Sequence, residues 1–233
     1  MSKLQFGWAE VSLTHEKKVF LAGQFATRIS QYVEKPLVAT ALAVSTVEDQ
    51  MVMVSVDLAG FPWNMLEVVR AKLADNTVGL DPEKVFISAI HTHTGPVFSP
   101  RYTRCRASVY DGYLDVLKSM LPPHLRYEDS TAVPAGDDVA TGEEMFSFLV
   151  EQITAAVLEA WANRKPGAFT NAFGRAVVGH CRRACYNDGS AQMWGETSTA
   201  VFTELEGGND SGIELLYIFD EAHKLTGIVA NLA

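Results

Sequence analysis

Residues 51–96 read MVMVSVDLAGFPWNMLEVVRAKLADNTVGLDPEKVFISAIHTHTGP, and this stretch decides the fold class. Met51 to Val56 and Val85 to Ile90 are short, apolar and rich in Val and Ile, the pattern of buried strands. Between them, Trp63 to Leu73 carries Met65, Val68, Val69 and Leu73, the stripe of a helix with one buried face. A strand, a helix and a strand in that order predict a parallel pair whose carboxyl ends share one edge of a sheet.

Outward from this unit, Leu37 to Val44, Gly212 to Phe219 and Leu225 to Leu232 also read as strands, and Asp220 to Lys224 as the hairpin between the last two. Thr141-Gly-Glu-Glu144 has the spacing of a capping box, in which the Thr and Glu side chains satisfy backbone N–H groups of the first helical turn. Phe146, Leu149, Val150, Ile153, Val157, Ala160 and Trp161 follow on one stripe, so a helix is expected to about Asn163, ending before Lys165-Pro166. Leu121 to Ala140, with four prolines or glycines and four acidic residues, has no periodicity and reads as a long surface loop over a site. The expected fold class is α/β: a mixed β-sheet with flanking helices in a single domain over residues 1–233. Because the chain stops at Gly227-Ile-Val-Ala-Asn-Leu-Ala233, within a strand pattern, it is expected to be the truncated part of a larger catalytic domain.

Composition narrows the function. The 233 residues are 48% apolar and 20% charged, enough for a substantial core. A formal charge of -9 disfavours nucleic acid as a partner, since binding a phosphate backbone needs a Lys/Arg surplus. Apolar runs such as Met51 to Val56 and Gly227 to Ala230 are too short to cross a hydrocarbon layer of about 30 Å, so no transmembrane segment is expected. The first ten residues lack a secretory apolar region, and the expected location is cytoplasmic. Cys105, Cys181 and Cys185 are an odd, sparse set and read as ordinary thiols.

Chemistry concentrates in three places. His91 and His93 end the strand that begins at Val85, and on an extended backbone residues i and i+2 face the same side, about 6.5–7 Å apart. Two imidazoles facing one point suit a metal ligand and a neighbour that handles the activated water; two solvated histidines are the alternative. Asp57 closes the first parallel strand at the edge where α/β sheets bind ligands, which makes it a candidate ligand or orienting carboxylate, or a turn residue before Phe61-Pro62. The third place is Val177-Val-Gly-His180-Cys-Arg182-Arg183, where a strand pattern runs into a His and two arginines. Their forked donors can hold a carbonyl or an anion, or one Arg can pair with Asp188 or Glu196. His15, His124 and His223 have no second ligand type at metal spacing and read as surface residues.

The segment Ile90-His91-Thr-His93-Thr-Gly-Pro96, after Val85-Phe-Ile-Ser, closely resembles the signature of neutral/alkaline ceramidases and their bacterial relatives. Phe6-Gly-Trp-Ala-Glu-Val-Ser, Leu37 to Val44 and Met51 to Asp57 follow the order of that family's N-terminal strands. His180-Cys-Arg182-Arg183 with Tyr186-Asn187 falls where the family carries an Asn-Arg segment. The resemblance implies zinc-dependent hydrolysis of an N-acyl sphingoid base or another lipid or small-molecule amide. It implies His91 as a zinc ligand, His93 as the proton-handling residue and Arg182 as the substrate contact. Asp57, His180 and Arg183 are left as second-shell or substrate-binding residues, and the remaining zinc ligands are expected beyond Ala233. Val97 replaces a glycine usual after the motif, so the loop and the substrate are expected to differ. Two alternatives stay open: a metal-dependent hydrolase of another bond such as a phosphoester, and a non-catalytic domain that binds a small molecule or partner through His180 and Arg182.

Overall fold

The computed structural model describes residues 4–23, 28–76, 79–98 and 136–232. It is α/β with a mixed sheet, as the pattern of elements predicts. The chain groups into two compact units: one holds residues up to 109 together with 130–167, the other 110–129 with 168–233.

In the first unit, β1 (Gln5–Ser12), β2 (Val38–Ser45), β3 (Gln50–Val56) and β4 (Val85–Ala89) lie side by side in that order. The β1/β2 and β2/β3 pairs are antiparallel and β3/β4 is parallel, with Val52 opposite Val85 and Val56 opposite Ala89. The start of β5 (Lys165–Arg175) pairs with β1 through Pro166 and Lys165. Across β2 and β3 the register sets Ala39, Ala41 and Ala43 opposite Val56, Val54 and Val52, all buried. Alternating small and branched side chains on that face leave room for helices to approach, and each fully buried valine contributes about 1.5–3 kcal/mol of transfer free energy.

Helix α1 (Trp63–Asn76) joins β3 to β4 and buries Met65, Val69 and Leu73, an i, i+4, i+8 stripe. Val68 lies off that stripe and is 39% exposed, so the buried face is narrower than the sequence pattern suggested. Helix α2 (Gly142–Ala162) starts at the expected capping box, with Thr141 Oγ1 accepting from Glu144 N and Glu144 Oε2 accepting from Thr141 N. It ends at Asn163, whose N–H donates to the carbonyl of Glu159. Where α2 crosses β1, a Cβ on Gly7 would lie 2.1 Å from the Ala160 carbonyl oxygen, so only glycine permits this approach.

Length and composition alone would let α2 cross a membrane, a run the reading of shorter apolar stretches left out. Met145, Leu149, Ile153, Val157 and Ala160 are buried in the same cluster as the sheet valines, which is the behaviour of a core helix.

Residues 13–23 and 28–36, which carry no periodic signal, frame the site. Leu21 pairs with Pro96 and Phe20 with Ile29 in isolated antiparallel bridges, and Leu21 N donates to the carbonyl of Arg28. The segment is thus two short legs, Val19–Gly23 and Arg28–Ser30, with the first laid along the chain that follows His93. His15 is half-buried with its ring edge-on to Phe148, not a surface residue as expected.

In the second unit, β9 (Gly212–Asp220) and β10 (Leu225–Leu232) form the expected hairpin, closed by Asp220 N donating to the carbonyl of Lys224. The later part of β5 lies beside β9. A separate antiparallel sheet contains β6 (Arg183–Tyr186), β7 (Ala191–Met193) and β8 (Phe202–Leu205), in the order β7-β6-β8. The strand expected at Val177 is absent: β5 ends at Arg175, and Val177 and Val178 lie in the link to β6, 77% and 55% exposed. Two apolar residues without alternation could not fix a strand there. Of the loop expected over residues 121–140, only 136–140 are described; Cys105 and His124 also fall outside the described residues. Cys181 and Cys185 are free thiols.

Candidate functional site

β3 and β4 deliver Asp57 and His91 to the same sheet edge, as parallel pairing requires. The backbone then departs from expectation. β4 stops at Ala89, and His91 adopts φ 64°, the left-handed region, rather than continuing the strand. Two cross-strand bonds impose the turn: Ile90 N donates to the carbonyl of Val56 and His91 N to that of Leu58. His is among the residues that tolerate this conformation, yet such a position costs of order 1–3 kcal/mol and collects at functional sites.

The turn brings the imidazoles together. His91 Nε2 and His93 Nε2 are 3.3 Å apart, with ring centroids at 4.9 Å and planes at 78°. His91 Nδ1 lies 2.5 Å from the carbonyl oxygen of Ala59, which can only accept, so Nδ1 donates and, in the neutral ring, Nε2 presents a lone pair to His93. An ion held tetrahedrally by two nitrogens at about 2.0–2.1 Å separates them by about 3.3–3.4 Å. The same spacing suits a hydrogen bond from His93 Nε2–H to His91 Nε2. Both rings are exposed.

The donor set fits a metal in part. A backbone carbonyl holding Nδ1–H is the usual way a ligating histidine is oriented. Asp57, however, does not complete the set: among the described residues no group of three or more His, Cys, Asp or Glu is placed to hold an ion. Its Oδ2 accepts from Val38 N at 3.0 Å, and its own N–H donates to the carbonyl of Val38. Asp57 therefore ties the end of β3 to the start of β2.

Thr92 and Thr94 alternate with the histidines in sequence. They face a cavity of about 1010 Å³ walled by Leu13 to Val19, Leu21 and Arg28 to Leu37, with Asp57, Ile90 and Pro96. Cavities of this order accommodate drug-sized ligands.

Two residues that sequence reasoning missed hold His93. Arg28 Nη2 donates to the carbonyl of His93 at 2.5 Å and to that of Ala22 at 3.2 Å. Gly23, at φ 87°, lies under the His93 ring, where a Cβ would come within 2.4 Å of the ring Cγ. Ala22 N and Val97 N add bonds to the carbonyls of Gly95 and Phe20. The only sequence signal was a Gly and an Arg in an unpatterned stretch, which names no partner.

The His180 cluster belongs to the second unit and is described by itself. His180 and Arg182 are exposed in the link before β6. The Arg182 guanidinium sits 5.8 Å from the Trp194 ring centroid, and its carbonyl accepts from Trp194 N. Arg183 pairs with neither Asp188 nor Glu196 but with Glu206, Nε to Oε1 at 3.0 Å, because β8 runs antiparallel beside β6. Asp188 and Glu196 instead accept from Ser190 and Ser198.

No protein-family model and no curated protein matches the sequence. Among solved structures the chain is similar to a neutral ceramidase from Pseudomonas aeruginosa, with a TM-score of 0.66, 19% identity and 99% of this chain covered against 31% of that one. A ceramidase complexed with C2 gives a TM-score of 0.61 with the same identity and coverage. The chain thus has the fold of part of a neutral ceramidase and spans about a third of the length of the structures it matches.

Proposed function

We propose that this chain carries the histidine portion of a metal-dependent amide-hydrolase site of the neutral ceramidase kind, acting on an N-acyl sphingoid base or another N-acyl amide. The observation that carries the reading is the pair of Nε2 atoms 3.3 Å apart at the carboxyl edge of β3 and β4. The ceramidase fold over 99% of the chain supports it. His91, its Nδ1–H held by Ala59, would hold zinc through Nε2. Bound zinc would polarise an amide carbonyl and acidify a water. His93, one nitrogen contact away, is placed to take up and return the proton. Arg182 is proposed to contact the substrate, its forked donors suited to a carbonyl or hydroxyl.

The test is hydrolysis of N-acyl amides of graded chain length by the full-length protein with zinc, alongside phosphoesters and a His91→Ala control. Amide turnover that depends on both zinc and His91 supports the proposal; phosphoester turnover alone, or none with zinc bound, replaces it.

A further inference from the structure

We infer that Arg28 is the positioning residue of the histidine pair, setting His93 against His91 from a segment remote in sequence. The inference rests on the proposed site. Arg28 Nη2 is shared by two carbonyls, those of Ala22 and His93, so a single donor fastens the Val19–Gly23 leg to the motif backbone. The tie fixes both sides of one contact: Gly23, next to Ala22, carries the His93 ring, and the His93 carbonyl fixes the backbone from which the ring projects. A charged donor strengthens such bonds, and the planar fork holds its direction as an ammonium cannot.

Arg28 is retained at a cost. Its Nε is buried with no hydrogen-bond partner among the described residues. His91 is held instead by its backbone bond to Leu58 and by the carbonyl of Ala59. The pair therefore has one arm fixed by the sheet and one fixed by Arg28.

The test uses the whole 233-residue chain, comparing wild type with Arg28→Lys and Arg28→Met. Two measurements are made: the nuclear Overhauser cross-peak between the His91 and His93 rings, and the zinc dissociation constant. The expected result is loss of the cross-peak in both variants and zinc binding weaker by about 10- to 100-fold, the usual effect of removing a group that orients a ligand. The contact between His15 and Phe148, centroids 4.9 Å apart in the same unit, should persist and shows that the fold is intact. Gly23→Ala, which pushes on the ring and leaves Arg28 in place, should reproduce the loss if either Arg28 variant fails to fold. An unchanged His91–His93 cross-peak in these variants overturns the inference, as does its loss together with the His15–Phe148 contact in all of them. Absence of zinc binding by the wild type would count against the proposed function instead, while the cross-peak would still decide the role of Arg28.

Discussion

His91 Nε2 and His93 Nε2 stand 3.3 Å apart although the backbone between them is not extended. The left-handed turn at His91 replaces the strand geometry that would have set the two residues side by side. Convergence is therefore built by the chain around the motif, from Ala59 on one side and Gly23 with Arg28 on the other.

Replacing His91 separates chemistry from backbone strain. His91→Ala is expected to abolish zinc retention while the far-ultraviolet circular dichroism stays that of the wild type. His91→Gly should do the same and melt higher than His91→Ala, since glycine meets φ 64° without the cost of about 1 kcal/mol that alanine bears. Undiminished zinc content by metal analysis would remove His91 as a ligand, and equal melting points would remove the strain.

The capping box of α2 gives a pH dependence. Glu144 has its carboxyl lowered to about 2 from 4.5, first by the Thr141 backbone N–H and then by Lys17. A carboxylate with a depressed folded pKa contributes stability that is complete above its unfolded value. That contribution is lost as pH falls from about 4.5 towards about 2. Glu144→Gln should flatten this part of the pH profile of denaturant midpoints. Thr141→Ala should cost about 1 kcal/mol at neutral pH.

Leu149→Ala is expected to lower stability by about 2–5 kcal/mol, because Leu149 is fully buried where α2 meets the sheet. A loss below about 0.5 kcal/mol in urea unfolding would match an exposed position and contradict the role of α2 as a core helix.

Arg182→Ala should leave zinc binding and melting temperature unchanged, because Arg182 is exposed and its ring partner Trp194 lies in its own unit. Turnover of an N-acyl amide is expected to fall about tenfold or more, the loss of one charge-assisted hydrogen bond worth about 1.5–3 kcal/mol. Equal turnover would move the substrate contact elsewhere. Arg183→Ala should instead act on β6 and β8 through loss of Glu206, with a small effect on stability because the pair is half-exposed.

Much of the first unit was legible in the sequence because its signals are local. The stripe from Met65 to Leu73, the Thr141–Glu144 box and the apolar runs of β2, β3 and β4 each declare an element from neighbours within a few residues. Strand, helix, strand then fixes that Asp57 and His91 reach one edge, since a parallel pair admits no other placement of its carboxyl ends. The short strands β6 to β8 escaped detection because three or four residues carry too little alternation to read.

The sequence by itself determined which side chains the candidate site has: His91 and His93 one residue apart, just past the end of a strand. The tertiary structure alone decided how they meet. His91 turns left-handed where Leu58 takes its backbone N–H and Val56 that of Ile90, and Arg28 reaches the carbonyl of His93 across 65 residues of chain. Asp57 was drawn to Val38 and Arg183 to Glu206 by strand register. Local patterns encode what a residue's neighbours must be, whereas a hydrogen bond between distant segments leaves no period in either of them until the sheet has brought them side by side.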